Sequence, residues 1–123
     1  MVATPSTMIP LGTKAPFFEL PNVIDQKLVT IKQDGSAGHL VAFVCNHCPF
    51  VIHLLGHFTE FFNQLESEKI AVYLISSNNV DKYPADSPSK MRELALDSGF
   101  RFPYLYDETQ SAAKDYKAAC TPD

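Results

Sequence analysis

Phe43-Val44-Cys45-Asn46-His47-Cys48-Pro49-Phe50 is the stretch on which the reading of this chain turns. Two cysteines stand two residues apart, between the apolar run His39–Val44 and a longer run, Val51–Glu66. The first run is nearly continuous in apolar residues and predicts a strand buried on both faces. In the second, Val51, Leu54, Leu55, Phe58, Phe62 and Leu65 recur at helical spacing and predict an amphipathic helix. The neighbouring Phe61 is expected to join that apolar face, with His53, His57, Glu60 and Gln64 opposite. Pro49 suits the first helical turn, where its missing N–H costs no ladder bond. The thiols therefore fall at a strand-to-helix junction.

That position carries chemical consequences. The thiolate is the reactive form of cysteine. Unpaired N–H groups and the helix dipole favour negative charge at a helix N-terminus. The two-residue spacing lets one thiol attack and the other resolve. Cys45, nearer the expected exposed tip, is assigned as nucleophile, and Cys48, partly covered by the helix, as resolving thiol. His47 adds a group that can be cationic. Stabilising a thiolate favours the reduced form and makes the pair more oxidising.

Cys45-x2-Cys48-x4-His53-x3-His57 also has the residue types of a zinc site. On a helix, however, His53 and His57 lie roughly 140° and roughly 180° around the axis from Cys48. One ion cannot gather ligands from opposite sides, so no metal is assigned and the two histidines are placed on a solvated face.

The remaining segments complete an α/β order. Residues 1–16 read as an irregular arm broken by Pro5, Pro10, Gly12 and Pro16, and Phe17–Leu20 with Lys27–Ile31 as a small hairpin. Gln33–Gly38 reads as a loop and Ile70–Ile75 as a second buried strand. Ser76–Ser87 is a polar loop; Ser87 and Pro88 open a helix that Gly99 stops. Tyr104–Tyr106 is a short strand, and Asp107 caps a last helix over Glu108–Lys117. Strands alternating with helices mean helices packed on a sheet. The 123 residues argue for a single domain over 1–123. A net charge of −4 without basic clusters argues against nucleic acid, and no apolar run is long enough for a membrane span. Met1–Pro10 lacks a basic n-region and an apolar h-region, which points to the cytoplasm. Three cysteines are too few for a disulfide-stapled scaffold.

Four segments together resemble the thioredoxin-like superfamily, and within it the redoxin branch of alkyl hydroperoxide reductase and thiol-specific antioxidant relatives that carry C-x-x-C. They are Gly12–Leu20, Phe43–Val51, Phe102–Asp107 and Ala119–Pro122. The resemblance implies a three-layer fold, a mixed sheet with helices on both faces. It implies that Pro122 is cis and lies against the cysteine pair, with Thr121 presenting backbone to a substrate. It also places Cys120 near the site as a candidate third thiol, although a small buried hydrophobe is its simpler role. Three features differ from the branch. No tryptophan precedes Cys45, no acidic residue lies in the 39–44 strand, and Asp123 ends the chain before the branch's C-terminal ββα portion. Glu19 is a distant candidate for the missing carboxylate. The last difference leads to the expectation of a C-terminally incomplete domain, or of one completed by a partner such as a swapped homodimer.

The function expected is a thiol-disulfide oxidoreductase acting on protein or small-molecule disulfides and thiols, without a cofactor. Two alternatives stand beside it. One is a peroxiredoxin-like thiol peroxidase, against which the P-x-x-x-T-x-x-C pattern is missing around Cys45. The other is a non-catalytic redoxin module.

Overall fold

The computed structural model describes residues 5–31 and 38–123. The expected loop at 33–37 lies outside them. Residues 5–16 form no strand or helix. Strands β1 (Glu19–Pro21) and β2 (Leu28–Thr30) then pair antiparallel, with Leu20 opposite Val29. The turn between them is held by the Asp25 carboxylate, which accepts the Lys27 N–H at 3.0 Å.

Next come β3 (Gly38–Phe43), α1 (Pro49–Ser67), β4 (Ile70–Ser76), α2 (Pro88–Ser98), β5 (Tyr104–Tyr106) and α3 (Ser111–Asp115). The last three strands form a parallel sheet in the order β3-β4-β5. Antiparallel elements extend it on both sides. Asn22 bridges to Leu105, and Phe43 and Asp123 exchange N–H···O bonds of 2.9 and 3.0 Å. The sheet is thus mixed, as the resemblance implies.

Strand β4 is central, and its alternation divides the core. Val72 and Leu74 join Val51, Phe62, Met91 and Phe102 beneath α1 and α2. Tyr73 and Ile75 join Phe18, Leu20, Phe43 and Ala112 on the other face, under the hairpin and α3. That gives the three layers. Strand β3 corrects the reading of a strand buried on both faces. It pairs along its length only with β4, and of its six residues only Phe43 is buried.

Helix ends follow local chemistry. The Ser87 hydroxyl accepts the Lys90 N–H, and Gly99 adopts φ 75°, ψ 38° to terminate α2. The last helix is shorter than predicted. Gln110 takes a left-handed φ of 64° and confines α3 to five residues. Gln110, not Asp107, is its N-cap; the Asp107 carboxylate accepts from the N–H groups of Ala112 and Ala113 at 3.4 and 3.0 Å. Phe61 is a further correction: it is 54% exposed, outside the apolar face formed by Val51, Phe58 and Phe62. Among the described residues, no helix is long and apolar enough to cross a membrane.

Met91 is fully buried where α2 meets the sheet, whereas Ile52 on α1 is 57% exposed. Met91→Ala is expected to cost about 2–5 kcal/mol, and Ile52→Ala to stay within about 0.5 kcal/mol. Urea denaturation of both variants checks this. Equal losses would show that the core is not where the packing places it.

Candidate functional site

Cys45 lies just beyond β3, and Cys48 is the N-cap of α1 with Pro49 in the first turn. The chain bends here because β3 ends at Phe43 while the Pro49 ring sets helical φ. All three cysteines are free thiols. The expected exposed tip is corrected: Cys45 is 1% exposed and Cys48 2%. Thr121 covers both. Its hydroxyl is 3.5 Å from Cys45 Sγ, and its carbonyl accepts from Cys48 Sγ at 3.4 Å. The Thr121-Pro122 bond is cis. The structure therefore brings Cys45, Cys48 and Thr121 together.

The turn between the thiols is held from the β4–α2 connection. The Asn46 side chain donates to the Ala85 carbonyl at 2.9 Å and accepts from the Tyr104 hydroxyl at 2.9 Å. Asp86, in the 3-10 turn Pro84–Asp86, is fully buried. Its carboxylate accepts the His47 backbone N–H at 3.0 Å and the Asn78 amide at 2.9 Å, and it bonds directly to His47 Nδ1. The His47 ring stacks on Tyr83 with centroids 4.3 Å apart and stays 27% exposed.

These contacts set the electrostatics. Burial, foremost, pushes the Cys45 thiol up; the Asp86 charge adds to this, and hydrogen bonds from Thr121 and the Cys48 N–H oppose it. Burial would also raise Cys48, but the Thr121 hydroxyl and the Val51 and Phe50 N–H groups at the helix start outweigh it, and the thiol falls below its ordinary value. The Cys48–Thr121 carbonyl contact opposes ionisation without reversing the balance, because several donors act against one acceptor. Tyr104 is pushed strongly upward, first by burial and then by the Cys45 and Asp86 charges, so its hydroxyl remains a donor to Asn46. His47, expected to favour the thiolate when cationic, is bonded to Asp86, whose own charge disfavours the Cys45 thiolate.

Cys45 Sγ, a His47 ring nitrogen and an Asp86 oxygen lie within 4.8 Å of one another. The donor types suit a metal, but His47 and Asp86 are bonded to each other and Asp86 accepts two further N–H groups. His53 and His57 are exposed on α1, as the helical spacing predicts. Glu19 is exposed on β1, and Asp86 is the carboxylate beside the thiols. Cys120 is half-buried, 3.6 Å from the Ser6 hydroxyl, and lines with Thr121, Phe43 and Gln110 a groove of about 320 Å³. Sequence reasoning missed Asn46, Asp86 and Tyr104. One signal was available for Asp86: a 12-residue connection from Ser76 to Ser87 is long for a packed domain, and such loops are commonly functional.

Residues 11–123 match the AhpC/TSA family model, and the chain belongs to that family. No curated protein matches it. An uncharacterized conserved protein from Geobacillus kaustophilus is 44% identical and superposes with a TM-score of 0.92, over 99% of this chain and 67% of that one. A hypothetical protein from Sinorhizobium meliloti is 37% identical with a TM-score of 0.90, over 96% and 64%. The chain thus spans about two thirds of each. The thioredoxin domain of a thiol-disulfide oxidoreductase from Bacteroides vulgatus, 13% identical, superposes with a TM-score of 0.71 over 94% of this chain and 79% of that one. This likeness identifies the fold as thioredoxin-like.

The opposed shifts predict an order of ionisation. Cys48 should form thiolate below the ordinary thiol range and Cys45 above it. A lowered Cys48 stabilises the reduced fold above the unfolded thiol pKa, and that gain is lost as pH falls through the folded value. A raised Cys45 stabilises it below the unfolded pKa, and that gain is lost as pH rises through the folded value. Ultraviolet thiolate titration of Cys45→Ser and Cys48→Ser proteins, each also carrying Cys120→Ser, reads the two groups singly. The reverse order would refute the assigned electrostatics.

Proposed function

We propose that the protein is a thiol-disulfide oxidoreductase working through Cys45 and Cys48. The observation that carries this is the convergence of both sulfurs on Thr121, beside cis Pro122, at the start of a 19-residue helix. Cys45 attacks a substrate disulfide and becomes the mixed disulfide. Cys48, the readier thiolate, then attacks Cys45 Sγ, expels the second substrate sulfur and closes the intramolecular disulfide. Two electrons pass from the dithiol to the substrate, and the reverse sequence oxidises a substrate dithiol. The raised Cys45 thiol weighs against a strongly oxidising pair, because the reduced form lacks thiolate stabilisation there. Thr121 and Pro122 form the wall at which substrate meets the sulfurs. The proposed partners are protein or small-molecule disulfides and thiols.

Family membership supports a second reading, in which Cys45 attacks peroxide to give a sulfenic acid that Cys48 or Cys120 resolves. The first reading is favoured because the P-x-x-x-T-x-x-C pattern is missing around Cys45, whereas Cys48 stands at the two-residue spacing of a resolving thiol.

Insulin-disulfide reduction tests the first reading. Cys45→Ala and Cys48→Ala are each expected to fall to background, while Cys120→Ser keeps wild-type turnover. Unchanged activity in Cys45→Ala would sink the mechanism. Rapid peroxide consumption by the wild type with a thioredoxin-type reductant would favour the peroxidase. A pair that never forms its disulfide in glutathione buffer would leave a non-catalytic module.

A further inference from the structure

Cys45 presents a chemical difficulty. Its sulfur is almost fully buried, its thiol is raised, and attack requires the thiolate. A proton must leave a place that water scarcely reaches. Beside that sulfur stands Asp86, 0% exposed and bonded directly to the His47 imidazole. The imidazole is 27% exposed and stacked flat on Tyr83. The three polar atoms lie within 4.8 Å of one another. Together they gather a buried thiol, a buried carboxylate and a partly exposed imidazole into one cluster.

We propose that the Asp86–His47 pair is the proton relay of the dithiol, with Asp86 the positioning residue that fixes the imidazole and links it to Cys45. The proposal rests on the dithiol reading above. In the first step, the Cys45 S–H proton moves to the pair, whose charge rises by one as the thiolate forms. The thiolate then bonds to one sulfur of the substrate disulfide, and the bond between the substrate sulfurs breaks. The departing substrate thiolate takes the proton back from the pair and leaves as a thiol. The relay ends the step in its starting state, and the exposed ring edge lets it exchange with water. In the second step the Cys48 S–H proton passes to the pair as the Cys48 thiolate bonds to Cys45 Sγ; the bond from Cys45 Sγ to the second substrate sulfur breaks, and that sulfur takes the proton from the pair and leaves as a thiol.

The seat is built for this task. Asp86 Oδ1 is occupied by the His47 backbone N–H and Oδ2 by Asn78 and the ring, so neither the carboxylate nor the imidazole can turn away. Four other titratable groups stand near the pair and Cys45. Cys48 faces Cys45 from the start of α1, and the Tyr104 hydroxyl of β5 feels both Cys45 and Asp86. From the β4–α2 connection, Tyr83 covers one ring face, and Lys82 Nζ stands 5.7 Å from the Tyr83 centroid.

The test is the rate of Cys45–Cys48 disulfide formation with oxidised glutathione, followed by quenched thiol counting from mildly acidic to mildly alkaline pH. The proteins are wild type, Asp86→Asn and His47→Gln. A relay predicts that both variants are slowed roughly ten-fold or more near neutral pH, within the range general acid–base catalysis supplies. The defect should shrink as pH rises and hydroxide takes the proton directly, and added imidazole should restore part of the rate. If Asp86 acts on Cys45 only through its charge, its removal eases ionisation and Asp86→Asn is faster than wild type. That result, or wild-type rates and pH profiles in both variants, overturns the relay while leaving the dithiol reading intact. A wild type that forms no disulfide overturns the dithiol reading and the relay with it. If Asp86→Asn fails to fold, His47→Gln, altered at a partly exposed ring, decides alone.

Discussion

A buried carboxylate organises this site. Asp86 has no access to water, so its charge is tolerable only if donors surround it. It finds them in the turn between the cysteines, through the His47 backbone N–H and ring, and in Asn78. The same bonds therefore satisfy the carboxylate and hold the cysteine turn. Asn46 adds a second clamp between Ala85 and Tyr104. Geometry and electrostatics at Cys45 follow from one seating: the charge that orders the turn is also the charge that disfavours the thiolate.

The scaffold is arranged to make that seating possible. Strand β4 fills both faces with its alternating side chains and delivers the connection carrying Asp86 to the end of the sheet where β3 delivers Cys45. Parallel pairing in register, Phe43 opposite Ile75, puts the two exits side by side. The N-terminal hairpin, tied through Asn22 to Leu105, covers the opposite face with α3. Cys48 faces a different environment from Cys45 although they are one turn apart. It sits on the first N–H groups of α1, whereas Cys45 faces the acid. Two thiols of one motif are thereby driven in opposite directions.

Much of this architecture was legible in local patterns. The apolar stripe from Val51 to Leu65 located α1, and Ser87, Pro88 and Gly99 located α2 to the residue, because caps and periodicity act within a few positions. The same reasoning set His53 and His57 apart from Cys48 and away from a shared metal. Local patterns erred where long-range pairing decides. His39–Val44 looked like an interior strand, yet half-buried β3 pairs along its length with β4 alone. Glu108–Gln110 looked helical, but Gln110 adopts left-handed backbone and α3 starts later.

At the site itself the division is sharper. By itself the sequence determined that two thiols stand at a strand-to-helix junction, since spacing, a proline and a helical stripe are properties of contiguous residues. Only the tertiary structure decided what those thiols face. Asp86 lies 39 positions from His47 and Thr121 lies 76 from Cys45. No local propensity encodes such contacts. They arise when parallel strands bring distant loops to one end of the sheet, and there burial and charge, not spacing, set the reactivity of Cys45.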